Sequence, residues 1–199
     1  MREYNDTRAP EYDEFYLGLG RFAGLERPEW DAELHELGRT IASLAPARTL
    51  DVACGTGFLT RHLPGEVTGL DQSERMLAVA SRRAPALRLV RGEALELPFP
   101  DGAFERVFTG HFYGHLEEEQ RLRFLAEARR VAAELVIVDS AVRADREPVE
   151  WQERVLNDGS RYEVYKRYLT GAGLSAELGG GAVLLDGRWF VTVRSGDSL

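Results

Sequence analysis

Two kinds of hydrophobic pattern alternate along this chain. Trp30, Leu34, Leu37, Ile41 and Leu44 recur at steps of four, three, four and three, which lays one apolar stripe along a helix, and Pro28 stands where a proline opens one. Thr49 to Ala53 is then a short apolar run broken by Asp51 and followed by the turn Cys54-Gly55-Thr56-Gly57. A run so short, bounded by glycines, predicts a buried strand. Phe58, Leu59 and Leu63 resume helical spacing, so the turn is expected to open a helix whose free N–H groups face a ligand above the strand. Glu66 to Asp71 repeats the strand pattern and ends in a second acid, and Ser73 suits the N-cap of a helix carrying Met76, Leu77 and Ala80.

The alternation continues. Leu87 to Arg91 and Arg106 to Thr109 read as the third and fourth strands, joined by the turn-rich run from Leu97 to Phe104. Leu116 to Val131 is a charged amphipathic helix with Leu122, Phe124, Leu125, Ala128 and Val131 inward, and Leu135 to Val138 is a fifth strand ending at Asp139. Strands and helices in turn predict an α/β protein with a largely parallel sheet. Beyond it, Arg154 to Tyr162 reads as a hairpin about Asp158-Gly159, Thr170 to Leu178 as a short helix, and Asp186-Gly187 as the turn of a last hairpin with Trp189, Phe190, Val191 and Val193. Tyr162, Tyr165 and Tyr168 either wall a pocket or pack. Residues 1–24 mix Tyr12, Phe15, Tyr16 and Phe22 with Gly18, Gly20 and Gly24, a composition suited to a mobile cover.

At 199 residues with 44% hydrophobic composition, the chain makes one domain. Its net charge of -8, from 33 acidic and 25 basic residues, disfavours DNA or RNA as a substrate. Arg82-Arg83 and Arg129-Arg130 lie within helical patterns and read as solvated faces. Cys54 has no partner for a disulfide and reads as a small packed residue. No apolar signal core or membrane-length run is found, so a cytoplasmic location is expected.

Asp71 closes its strand about 20 residues after Asp51 closes the first, where nucleotide-binding α/β sheets place a carboxylate on ribose hydroxyls. A dinucleotide fingerprint wants glycine or alanine where Thr60 stands, which weakens an NAD reading. Taken with Gly92-Glu93-Ala94-Leu95 and the Leu97 to Phe104 loop, the segment from Thr49 to Ser140 resembles the core of class I S-adenosylmethionine-dependent methyltransferases, in their small-molecule (methyltransferase domain type 11-like) branch.

The resemblance implies a Rossmann-like doubly wound sheet of about seven strands, mostly parallel with an antiparallel C-terminal hairpin strand. It divides the single domain into an N-terminal cover and helix (1–45), a cofactor-binding core (46–140) and a substrate-side hairpin with closing strands (141–199). S-adenosyl-L-methionine is the implied cofactor and a small molecule the implied methyl acceptor, for a monomer or homodimer. The implied cofactor residues are Tyr16, Asp51, Ala53, Gly55, Gly57, Asp71, Gln72, Met76, Glu93, Ala94 and Thr109, with Tyr12 beside Tyr16. Asp51 falls to the cofactor's amino group, Asp71 to its ribose, Met76 to the adenine face and Glu93, often aspartate in the family, to the adenine amino group. His111 and His115 are candidate bases after the fourth strand; no residues are put forward as metal ligands. The Asn/Asp-Pro-Pro-aromatic run of the amino-methylating branches is missing there, which argues against base amines and glutamine side chains as acceptors. Two alternatives stand beside methyl transfer: a nucleoside-binding protein without transfer, and a nicotinamide-dependent oxidoreductase.

Overall fold

The structure, a computed structural model, describes residues 2–196. Helices α1 (Arg2–Arg8), α2 (Glu14–Leu17) and α3 (Trp30–Ala42) precede the sheet. The alternating region runs β1 (Ala47–Val52), β2 (Gly65–Asp71), α4 (Glu74–Arg83), β3 (Arg88–Arg91), β4 (Arg106–Gly110), α5 (Glu118–Val131) and β5 (Glu134–Ser140). The hairpin β6 (Val149–Val155) and β7 (Arg161–Arg167), helix α6 (Gly171–Glu177) and the strands β8 (Ala182–Asp186) and β9 (Phe190–Ser195) complete the chain.

Seven strands form one sheet in the order β3-β2-β1-β4-β5-β9-β8. The first five run parallel, β9 is antiparallel to β5, and β8 is antiparallel to β9, as the sequence predicts. Period-two alternation divides the apolar residues between two faces. Leu50, Val52, Val107, Leu135, Ile137, Val191 and Val193 pack with Phe124 and Leu125 of α5 and Leu174 of α6. Phe108, Val136, Val138 and Phe190 pack with Trp30, Leu37 and Ile41 of α3. The predicted apolar stripe therefore does dock on the sheet. Strand order reverses between β1 and β4, which opens a crevice at their carboxyl ends.

Hairpin β6–β7 stands apart from the sheet and rests on the turn after β4. Its Leu156, Val164 and Tyr162 cluster with Tyr4 of α1, so hairpin and N-terminal segment meet above the crevice.

Three local expectations fail, the first being Leu122, which is exposed on α5 rather than turned inward. The helix predicted after the glycine turn is only a single 3-10 turn, Thr60–His62. Pro64 pushes Leu63 into extended backbone (φ -70, ψ 126) and leaves too few residues for more. Pro28 lies outside its helix: Glu29 has φ 66, α3 begins at Trp30, and the Pro28 carbonyl instead accepts from Trp189 Nε1 at 2.8 Å. Buried Glu33 of α3 fastens the β8–β9 turn by accepting from the N–H groups of Arg188 (3.0 Å), Trp189 (2.8 Å) and Phe190 (2.7 Å).

Candidate active site

The strands on either side of the reversal leave the sheet alike. Ala53 after β1 has φ 58 and His111 after β4 has φ 55; left-handed backbone at a non-glycine residue costs on the order of 1 kcal/mol and gathers at functional sites. Gly55 (φ 54) and Gly57 (φ 73) complete the bend after β1 without that cost. Asp71, at the end of β2, organises the bend from the neighbouring strand. Its Oδ2 accepts from Gly55 N at 2.9 Å and its Oδ1 from Ser73 N at 2.8 Å. Each carboxylate oxygen keeps a lone pair for a further donor. Burial raises the Asp71 pKa, against these backbone hydrogen bonds.

Beside Asp71 lies a cavity of about 180 Å³ bordered by Ala53, Gln72, Glu93, Ala94, Phe112 and His115. Its lining combines two carboxylates, Asp71 and Glu93, with the apolar ring of Phe112.

Asp51 is buried on the same side of the sheet. Burial pushes its pKa up to about 7; the Thr60 hydrogen bond opposes the rise and the nearby Asp71 charge adds to it. Thr60 Oγ1 donates to Asp51 Oδ2 at 2.5 Å, so the residue that spoils a dinucleotide fingerprint serves the first acid here. Among the described residues Asp51 has no cationic partner. The bend above it is not bare. Tyr12 and Tyr16 leave a gap of only about 10 Å³ against Asp51, Ala53 and Phe58. Tyr16 stacks on Phe58 at 4.0 Å, and a Cβ at Gly55 would lie 3.8 Å from the Tyr12 ring.

Two acids hold this cover down. Asp13 accepts from Thr56 Oγ1 at 2.6 Å and pairs with Arg83. Asp6 accepts from Ser73 Oγ at 2.5 Å while Ser73 caps α4 through Met76 N.

A second cavity, of about 310 Å³, opens beneath the β6–β7 hairpin and the cover and is lined by both histidines. His115 borders it and the cavity beside Asp71 alike. The His115 Nδ1 lies 2.7 Å from the Tyr165 carbonyl oxygen; since a carbonyl only accepts, Nδ1 carries the proton and Nε2 keeps its lone pair. Burial, reinforced by the Lys166 charge, lowers its pKa to about 3. His111 sits among Phe15, Tyr16 and Phe190. Its pKa falls to about 4, mainly through burial, and its buried Nε2 has no hydrogen-bond partner among the described residues. Asp139, at the end of β5, joins the hairpin to the sheet by accepting from Lys166 Nζ at 2.6 Å, with both side chains buried. The Lys166 charge holds Asp139 ionised despite burial, near pKa 2.

Of the expected cofactor residues, Ala53, Asp71, Gln72, Glu93 and Ala94 line the cavity beside Asp71, and Asp51, Ala53 and Tyr16 line the narrow gap. Gly55 and Gly57 shape the bend and line none of these three cavities. Met76 and Thr109 depart from expectation. Met76 is 2% exposed and packs in the core, and Thr109 Oγ1 donates to the Val52 carbonyl at 2.8 Å, joining β4 to β1. Cys54 is buried, and burial with the Asp51 and Asp71 charges raises its thiol pKa well above the ordinary value, which fits a packed residue. Of the hairpin tyrosines only Tyr168 lines the second cavity; Tyr162 packs on Tyr4 and Tyr165 on Trp151. Sequence reasoning missed the basic residues of that cavity, among them Arg154 and Lys166. Period-two alternation through Gln152, Arg154, Val164 and Lys166 was the available signal.

Residues 49–134 match a family model described as a methyltransferase domain. A demethylmenaquinone methyltransferase of Thermus thermophilus is 41% identical over 98 residues, covering 45% of this chain and 44% of that protein. A phthiotriol/phenolphthiotriol dimycocerosates methyltransferase of Mycobacterium ulcerans is 37% identical over 126 residues, covering 57% of this chain and 44% of its own length. This chain thus spans less than half the length of these curated relatives. Likeness to a solved DhpI-SAM-HEP complex is more extensive: TM-score 0.76 at 25% identity over 96% of this chain and 94% of that one. A DhpI-SAH complex gives 0.72 at 26% identity over 98% and 95%. Residues 49–134 are thus similar to a methyltransferase domain, and the chain over nearly its whole length shares the fold of structures described as SAM and SAH complexes.

Proposed function

We propose that this protein transfers the methyl group of S-adenosyl-L-methionine to a small-molecule acceptor. The observation that carries the reading is the pair of adjoining cavities that share His115, one edged by Asp71 and Glu93 and the other lined by both histidines. The likeness to structures described as SAM and SAH complexes, over nearly the whole chain, supports the same cofactor.

The residues present suit that cofactor. Asp71 has lone pairs left for ribose hydroxyls. Glu93 offers a second acceptor in the cavity beside Asp71, which we assign to the nucleoside. Asp51 is a buried carboxylate with no cation beside it among the described residues, an arrangement that an ammonium group would satisfy. Tyr12 and Tyr16 must leave the bend to admit that end of the molecule, and the Asp6 and Asp13 contacts are where the cover would release.

When bound, the cofactor supplies a methyl carbon already activated by a positive sulfur that departs as a neutral thioether. The protein's part is therefore alignment, which can account for roughly 7 to 11 kcal/mol of barrier. We assign His115, rather than His111, to face the acceptor hydroxyl, its Nε2 lone pair accepting a hydrogen bond that orients it; the lowered pKa opposes full proton transfer. His115 is neutral at physiological pH, its Nδ1–H is fixed by Tyr165, and it alone of the pair borders both cavities. We further assign residues 1–45 to the cover and its helix, 46–140 to cofactor binding and 141–199 to the acceptor side, in a cytoplasmic monomer or homodimer that does not act on nucleic acid. Among the described residues no helix is long and apolar enough to cross a membrane.

A second reading, nucleoside binding without transfer, has one observation in its favour: the tyrosines over the Asp51 end. Calorimetry with S-adenosylhomocysteine and with NAD, followed by methyl transfer to a small-molecule panel, separates the readings. Methyl transfer with S-adenosylhomocysteine binding supports the proposal. Binding without transfer supports the second reading, and binding of NAD alone refutes both.

A further inference from the structure

Resting on the methyl-transfer reading, we propose that the acceptor carries an oxyanion, a carboxylate or a phosphate-like group, held in the second cavity by Arg8, Arg27 and Arg154, beside the hydroxyl that faces His115. The chain as a whole carries a net charge of -8. Yet this cavity is lined by six basic side chains, Arg8, Arg27, Arg143, Arg146, Arg154 and Lys166, against two carboxylates, Glu26 and Asp145. Local charge is thus opposite in sign to the molecule, and such concentration in a cleft focuses the field on an incoming anion.

Half of these cations already have partners. Arg143 holds Asp145 through two hydrogen bonds of 2.9 Å, Arg146 lies 3.9 Å from both Asp145 and Glu150, and Lys166 is taken up by Asp139. Arg8, Arg27 and Arg154 form no ion pair among the described residues. Neutral groups position them instead. Arg8 donates to the Tyr4 hydroxyl at 2.9 Å and its guanidinium lies 4.6 Å from the Tyr12 ring centre. Arg27 donates to the Phe15 carbonyl at 2.6 Å and lies 4.1 Å from the Trp30 ring centre. Arg154 donates to Gln152 Oε1, while its own Nε is buried without a partner.

A guanidinium has five N–H donors in a fixed fork that matches an oxyanion, so all three keep donors to spare. Burial lowers the pKa of Arg27 and of Arg154: the positive form is held at a cost that a bound anion offsets. The cavity, about 310 Å³, has the size of a small-molecule site. His115 lines this cavity and the one beside Asp71 alike, so an acceptor anchored here lies one side chain away from the space assigned to the cofactor.

The test is calorimetry on the full chain saturated with S-adenosylhomocysteine, at constant ionic strength, titrated with acetate, inorganic phosphate and, as the uncharged match of acetate, acetamide. At least one anion should bind while acetamide does not. Acetate alone marks a carboxylate acceptor; phosphate alone marks a phosphate-like one. Arg154→Gln and Arg27→Gln should each weaken the anion by about tenfold or more and leave the S-adenosylhomocysteine affinity in place, which also reports that the variants fold. Acetamide binding as well as acetate, no anion binding to a complex that holds S-adenosylhomocysteine, or affinity unmoved by both substitutions would overturn the proposal. Failure of S-adenosylhomocysteine to bind the unmodified protein instead sinks the methyl-transfer reading, and the same titrations on the free protein still show whether the cavity takes anions.

Discussion

Replacing Asp51 by asparagine separates what this carboxylate does for binding from what it does to stability. Burial carries its pKa from the ordinary 3.8 to about 7 in the free protein. Bound to an ammonium group it must be ionised, so cofactor binding is expected to release a proton below pH 7. Affinity for S-adenosylhomocysteine should then be level above pH 7 and fall about tenfold per pH unit beneath it, to roughly 100-fold weaker at pH 5. Asp51→Asn removes the charge while keeping the shape and the acceptor for Thr60. Its affinity at pH 8 should drop by about 1.5 to 3 kcal/mol, the worth of a hydrogen bond to a charged group, and its slope between pH 5 and 7 should vanish.

The stability effect has the opposite sign. A carboxyl group whose folded pKa is raised binds its proton more tightly when folded. Its contribution is therefore full below the unfolded value of 3.8 and is lost as pH rises toward about 7. That displacement is worth at most about 4 kcal/mol, so Asp51→Asn should be more stable than the parent at pH 8 and lose that advantage by pH 4. Calorimetry in buffers of different ionisation heat counts the released proton, and urea unfolding at the two pH values reads the stability. A level affinity profile from pH 5 to 7 in the parent, or the same slope in the variant, would refute the reasoning.

Other expectations follow from the same geometry. Glu33→Ala strips the acceptor from three backbone N–H groups of the β8–β9 turn and should cost about 2 to 4 kcal/mol in urea unfolding, with Glu33→Gln costing less. Lys166→Met leaves Asp139 buried without its cation and should destabilise by about 3 to 5 kcal/mol; the double variant with Asp139→Asn should recover much of that. His111 and His115, with pKa values lowered to about 4 and 3, contribute stability present above the unfolded value of 6.5 and lost as pH falls through that range. The fall in urea midpoint from pH 6.5 to 4 should be steeper in Asp51→Asn, where the opposing carboxyl is absent. Asp71→Asn should weaken S-adenosylhomocysteine by roughly 1.5 to 3 kcal/mol, and an unchanged affinity would remove Asp71 from the ribose.

The parts of this molecule legible in the sequence are those dictated by local pattern. The five parallel strands, the α3 stripe and the hairpins about Asp158-Gly159 and Asp186-Gly187 follow from periodicity and turn chemistry. The glycine bend and its two flanking acids were likewise readable, because backbone freedom and strand-end carboxylates are local signals. Where Pro64 truncated a helix, hydrophobic spacing at Leu59 and Leu63 outweighed in the reading a breaker that dominates in the structure. Met76 in α4 and Thr109 in β4 face inward, a matter of side-chain direction that their positions in the sequence alone do not fix. The basic cavity was hidden for another reason. Its cations come from α1, the segment before α3, the loop after β5 and hairpin β6–β7; no two adjacent residues form a run, and only the folded cover brings them together. The paired arginines that do stand out, such as Arg129-Arg130, line neither cavity.

A crystal structure of the protein with S-adenosylhomocysteine is the most direct test of the central claim. The predicted result has ribose hydroxyls donating to Asp71, the amino group beside Asp51, and the Tyr12 and Tyr16 rings displaced from the bend they now cover. A nucleoside lying elsewhere, or Tyr12 and Tyr16 still filling the bend with the ligand in place, would contradict it.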